Sequence, residues 1–174
     1  LVAVDSFVDD SYLLMLTKAG FIKRTALSAF SKIRSNGLIA INLEDGDALT
    51  WVRLSKEGDS VLIGSRTGMA IHFRLDINEL RPLGRTARGV KSMNLREGDN
   101  LVSMDVLTSD LVDQLSSVEG LTKEIDENLE INSSDGPWVL IASSLGLGKR
   151  VPVTQFRLQR RAGMGLRAIK FRIK

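Results

Sequence analysis

The chain has no cysteine, one histidine, one tyrosine and three prolines, and aromatic residues make up only 5% of its 174 residues. Without cysteine there is neither a disulfide nor a thiolate metal site, and His72 alone cannot form a histidine metal cluster. A reducing compartment is compatible with this composition. No apolar run approaches the roughly 18 residues that cross a bilayer as a helix. No basic-then-apolar leader is found, so nothing argues for secretion. What remains is 43% hydrophobic and 26% charged residues, the balance of a soluble globular protein. At 174 residues the chain can bury a real core, in one or two domains.

Net charge is only +3, but the charges are segregated. From Lys149 to Lys174 there are nine Lys/Arg and no acid; from Asp105 to Asp135 there are nine Asp/Glu and one lysine. Such a split predicts a polyanion-binding surface beside an acidic segment. Taken alone, it is equally consistent with two solvated faces of opposite sign.

The sequence also repeats. "LMLTKAGFIKRTALSAFSKIRSNG" (14–37) aligns without a gap on "LIASSLGLGKRVPVTQFRLQRRAG" (140–163), matching Gly20 to Gly146 and Lys23-Arg24 to Lys149-Arg150. Between them "LIGSRTG" (62–68) aligns on "LMLTKAG", and "GVKSMNLREGDNLVSMDV" (89–106) on "GLIAINLEDGDALTWVRL" (37–54). Each unit reads as strand, glycine turn, strand, an Arg/Gly-bearing connection, strand, Gly-Asp turn, strand. Gly46-Asp47 and Gly98-Asp99 suit tight turns. Four strands in a unit of about 45–50 residues is the pattern of a propeller blade. The expected fold is therefore all-β, with propeller-like blades of four-stranded antiparallel sheets. The units run over about 13–57, 58–107 and 137–174, with an acidic insertion at 108–136. Propellers need at least about four blades, so these units make an incomplete set and read as part of one larger domain. Strands at 13–17, 61–65 and 139–143 should be equivalent. The insertion is expected to be mostly loop or disorder, with room for a short amphipathic helix.

These residues resemble the C-terminal DNA-wrapping domain of DNA gyrase A. The repeat form G-x-x-K-R-T-x-L-x-x-F-x-x-x-R-x-x-G-x-x-A-I-x-L-x-x-G-D stands intact in residues 20–47. The resemblance covers 13–107 and 137–174. It implies a β-pinwheel, a propeller variant whose blades exchange strands, with a basic rim that bends duplex DNA. It also implies membership of an ATP-dependent type IIA topoisomerase that introduces negative supercoils. The implied partners are duplex DNA, the gyrase B protein and a second gyrase A protein (A2B2), with no membrane. ATP and Mg2+ would serve the holoenzyme elsewhere, and this segment would hold no cofactor, metal or catalytic residue of its own. The location would be the bacterial cytoplasm or, alternatively, a plant chloroplast or mitochondrion. Two other readings stand beside this one: the matching C-terminal domain of topoisomerase IV, and a non-enzymatic protein-interaction propeller.

The family's box, Gln-Arg/Lys-Arg-Gly-Gly-Arg/Lys-Gly, is matched by Gln159, Arg160, Arg161, Gly163 and Gly165, while Ala162 and Met164 depart from it. The run 155–171 reads as two strands presenting a cationic loop. Arginines there would meet phosphate oxygens, and its glycines would let backbone approach a duplex. Arg34 and the set Arg81, Arg85 and Arg88 stand at equivalent positions in the other units, and Lys149 and Arg150 join the candidate DNA contacts. Arg160 and Arg161 are expected on an exposed rim.

Other signals are weaker. "GLGKRV" (146–151) lacks the leading glycine and the Ser/Thr of a phosphate loop. His72 lies in an alternating strand outside any catalytic motif, and Tyr12 follows Ser11 rather than the arginine that precedes the topoisomerase nucleophile. Trp51 and Trp138 read as core, and Asp45, Asp47 and Asp99 as turn formers.

Overall fold

A computed structural model describes residues 2–32, 35–111, 113 and 137–170. Among the described residues ten strands follow in chain order: β1 (Ser11–Thr17), β2 (Phe21–Ala26), β3 (Leu49–Lys56), β4 (Ser60–Ser65), β5 (Met69–Arg74), β6 (Val90–Lys91), β7 (Leu101–Leu107), β8 (Trp138–Ala142), β9 (Gly148–Pro152) and β10 (Leu166–Arg167). Single 3-10 turns, Leu27–Phe30 and Val153–Gln155, follow β2 and β9. The predicted all-β class is the observed one, and β1, β4 and β8 are equivalent as expected.

The sheets are antiparallel, with orders β3-β1-β2-β6, β10-β5-β4-β7 and β8-β9. The fourth strand of each complete sheet comes from the next unit. Phe21 and Ile22 pair with Lys91 and Val90, and Ala70 and Met69 pair with Leu166 and Arg167. Each exchanged strand is two residues long and starts after a glycine with positive φ. A Cβ on Gly89 (φ +105°) would lie 2.7 Å from the Ile22 carbonyl oxygen, and one on Gly165 (φ +74°) 2.5 Å from that of Ala70. Only glycine meets both demands.

Hydrophobic alternation on β4 joins the layers. Val61 and Ile63 are fully buried in a core shared with Leu14, Leu16 and Ile22 of the first sheet. Leu62 points the other way, into a smaller core with Val151, Phe156, Val139 and Ile141 of the third unit. The middle sheet is thus covered on both faces, which is why β4 reads as an unbroken apolar run.

The Gly-Asp turns serve the neighbouring hairpin. Asp99 Oδ2 accepts from Ser65 Oγ (2.7 Å) and Thr67 Oγ1 (2.6 Å), and its Oδ1 accepts from the Thr67 and Asn100 amides. Asp47 Oδ1 likewise accepts from the Ala19 and Ala48 amides, both at 2.8 Å. The turn-former reading of both aspartates holds, with a long-range role added.

One expectation fails. The run from Phe156 to Leu158 is no strand: it leaves the 3-10 turn as irregular chain, and only Leu166–Arg167 pairs. The alternation there reflects a connection that crosses the preceding sheet, burying Phe156 while Arg157 and Leu158 face solvent.

Candidate nucleic-acid interface

Residues 80–89 and 156–165 are the connections that cross from one unit to the sheet before it, and they align without a gap. The Leu83 amide donates to Arg24 O and the Gln159 amide to His72 O, both at 2.8 Å. Further along, the Ala162 amide donates to Ser92 O, and Gly163 O accepts from the Asn94 amide. Ala162 takes a φ of +62°, at the position where the family box carries glycine. The glycines expected to admit a duplex lie against the preceding sheet. Gly165 abuts the Ala70 carbonyl, and Gly163 faces Ile71 Cδ1.

Two of the predicted DNA cations are committed to this crossing. Arg161 is half-buried rather than exposed. Its Nε donates to Glu79 O (3.0 Å) and its Nη1 to Lys91 O (2.6 Å), while its amide donates to Glu79 Oε2 (2.9 Å). Arg85 stands at the aligned position in the preceding loop and directs Nη1 to Ile39 O at 3.5 Å, the aligned partner of Lys91 O. Both guanidiniums stitch a loop to the backbone of the unit before it.

Beneath the first loop lies Lys23, fully buried. Its three N–H donors meet three carbonyls, Gly84 O (3.0 Å), Arg85 O (2.6 Å) and Ala87 O (3.0 Å). Burial, and then the charge of Arg85, lower its pKa to about 8. Arg24 is also fully buried. It donates through Nη1 to Leu75 O (2.8 Å), through Nε to Leu80 O, and pairs with Glu57 at 2.7 Å, with its guanidinium over the Tyr12 ring. At the second junction His72 takes the position of Arg24 and Ile71 that of Lys23. His72 is buried, with Nδ1 2.6 Å from Phe156 O and Nε2 2.7 Å from Ser60 Oγ. It is a packing histidine, as its place in an alternating strand suggested. Phe156 O aligns with Leu80 O, so the two junctions share one contact with different donors.

What remains exposed is a smaller set of cations. Arg81 and Arg157 occupy one aligned position, and Arg160 is on the same loop as Arg157. All three are exposed and make no hydrogen bond or ion pair among the described residues. Arg88 is exposed but stacks on Phe21 at 4.4 Å and pairs with Glu44. Met164 is its aligned counterpart. Gln159 is half-buried, contributing its backbone amide. Lys149 and Arg150 are exposed on β9, with Arg150 over the Trp138 ring at 4.1 Å. Arg34 and most of the acidic insertion lie outside the described residues. Arg157 is not singled out by the box motif; the ungapped match of 80–89 to 156–165 is the signal that finds it.

The family described as "DNA gyrase C-terminal domain, beta-propeller" matches residues 11–56, 59–108 and 137–172. The DNA gyrase A protein of Synechocystis sp. is 57% identical over 180 residues, covering 100% of this chain, and the chain spans 21% of that relative. Among solved structures, the C-terminal domain of a DNA topoisomerase IV superposes with a TM-score of 0.72 at 26% identity, over 95% of this chain and 43% of that one. A DNA gyrase A C-terminal domain superposes with a TM-score of 0.68 at 26% identity, over 94% and 45%. The exchanged strands, the repeated junctions and these matches agree: the chain belongs to the DNA gyrase C-terminal domain family of β-propellers.

Proposed function

We propose that this chain binds and bends duplex DNA without strict sequence preference, through the exposed arginines of its junction loops. It would do so within a gyrase, an ATP-dependent type IIA topoisomerase that introduces negative supercoils. ATP, Mg2+, the gyrase B protein and a second gyrase A protein belong to that holoenzyme, and the bacterial relative favours a cytoplasmic location. The carrying observation is a division of labour among aligned arginines. Arg85 and Arg161 bind carbonyls, whereas Arg81 and Arg157 stand exposed at matching positions, unpaired among the described residues. Cations repeated on successive units can follow a phosphate backbone and read charge and bendability rather than bases. Here Arg161, Gly163 and Gly165 shape the loop, and Arg157 and Arg160 meet phosphate. Identity of 57% to a gyrase A protein supports gyrase over topoisomerase IV, which the two similar TM-scores do not separate.

The salt dependence of duplex binding tests this. Arg157→Ala with Arg160→Ala should lower the log–log salt slope by about 0.9 per lost phosphate contact, and Met164→Arg should raise it by a similar amount. An unchanged slope in the double variant would refute the assignment.

A further inference from the structure

We propose that Lys149 and Arg150 are docking residues for the backbone of a following repeat, and not contacts for nucleic acid. The two complete junctions state what this position does. In the first unit Lys23 and Arg24 are fully buried, and their side chains donate to Leu75, Leu80, Gly84, Arg85 and Ala87 carbonyls of the second unit. In the second unit Ile71 packs beside Gly163, and His72 reaches Phe156 O of the third. Lys149 and Arg150 align with these pairs at the same register of the same hairpin. Val139 pairs Val151 and Leu140 pairs Arg150, as Leu13 pairs Thr25 and Leu14 pairs Arg24.

A second observation points the same way. Leu14 and Leu62 are 0% and 8% exposed, but their counterpart Leu140 is 76% exposed. What covers Leu62 is the next unit, through Val151 and Phe156. Among the described residues the third hairpin thus has the residues of a junction and lacks its cover. Arg150 already lies over Trp138 at 4.1 Å as Arg24 lies over Tyr12 at 4.6 Å, each guanidinium beside the aromatic ring of its own hairpin. The occupant is the next repeat of a longer protein. The solved gyrase A domain supplies the room for one, since this chain covers only 45% of it. The chemistry required of that repeat is a set of unpaired backbone carbonyls at the turn and loop that match 75–88.

The test uses the full-length protein and two paired variants. Lys149→Ala with Arg150→Ala should speed amide hydrogen exchange in β8, β9 and the segment after residue 174 roughly tenfold or more. The salt slope of duplex binding should stay unchanged. Lys149→Ile with Arg150→His copies the middle unit, and it should keep the protein folded, the exchange slow and the slope intact. If the two cations touch phosphate instead, the copied pair should lose up to about 1.8 units of slope, at about 0.9 per contact. That loss would overturn the proposal, as would unchanged exchange in the alanine pair or failure of the copied pair to fold. The exchange measurement needs no DNA, so it stands even if duplex binding itself fails.

Discussion

At the scale of single residues, a cation's type does not reveal its partner. Arg85 and Arg161 read as phosphate ligands because an arginine in a glycine-rich loop is the residue that phosphate sites use. Their fork-like donors suit backbone carbonyls equally well, and those carbonyls belong to another repeat, about 46 and 70 residues away in sequence. Lys23 is the clearest case, because it is hidden entirely. Its pKa, lowered to about 8 by burial and by Arg85, makes the contact measurable. The folded chain releases this proton near pH 8, whereas the unfolded chain holds it to about 10.4. Between those values the unfolded state binds more protons, so this group's contribution to stability rises with pH across that window and is flat below it. Titration of the Lys23 side chain by NMR should give a midpoint near 8. A midpoint in the ordinary lysine range would show that burial and the Arg85 charge are offset, so that they do not lower it.

At the scale of elements, long strands are legible in the sequence and short ones are not. β1, β4 and β8 are apolar runs long enough to be seen, and the repeat establishes their equivalence. The exchanged strands Val90–Lys91 and Leu166–Arg167 are two residues long, too short for any period. Their visible mark is the glycine in front of them, and Gly37 carries the same mark with φ +78° and nothing within 4 Å of a Cβ. In the loop that copies a functional box, the same glycine reads as an opening for DNA. In the structure the sheet makes the same demand of it. Gly165→Ala would combine left-handed strain of about 1–2 kcal/mol with a Cβ 2.5 Å from Ala70 O. It should therefore cost more than about 2 kcal/mol in denaturant unfolding and loosen the β5–β10 pairing. The aspartate turns are sturdier: burial pushes the Asp99 carboxyl up, but Thr67, Ser65 and the Thr67 and Asn100 amides together hold it below its ordinary value. The protein keeps that contribution above about pH 4 and loses it as acid protonates the carboxylate.

At the scale of the whole molecule, the repeat makes the architecture readable from the sequence alone, because one unit cannot cover its own faces. The same logic explains why the division between structural and free cations is hidden there: it exists only across junctions. What the sequence shows directly at this scale is charge. Nine acids lie in residues 105–135, just before a unit whose last 26 residues hold nine Lys/Arg and no acid. Most of that acidic segment lies outside the described residues, so charge and reach alone bear on its role. A chain of this length can span tens of ångströms, enough to bring its carboxylates over neighbouring arginines. Opposite charges so linked would form an intramolecular competitor for any polyanion, one whose strength falls as salt shortens the screening length. Deleting residues 119–134 should therefore tighten duplex binding at low salt, and the gain should shrink toward zero as ionic strength rises above about 0.15 M. Titrations of the deleted and intact proteins across a salt series measure this. Equal affinities at low salt would mean that the acidic segment never meets the arginines and contributes solubility alone.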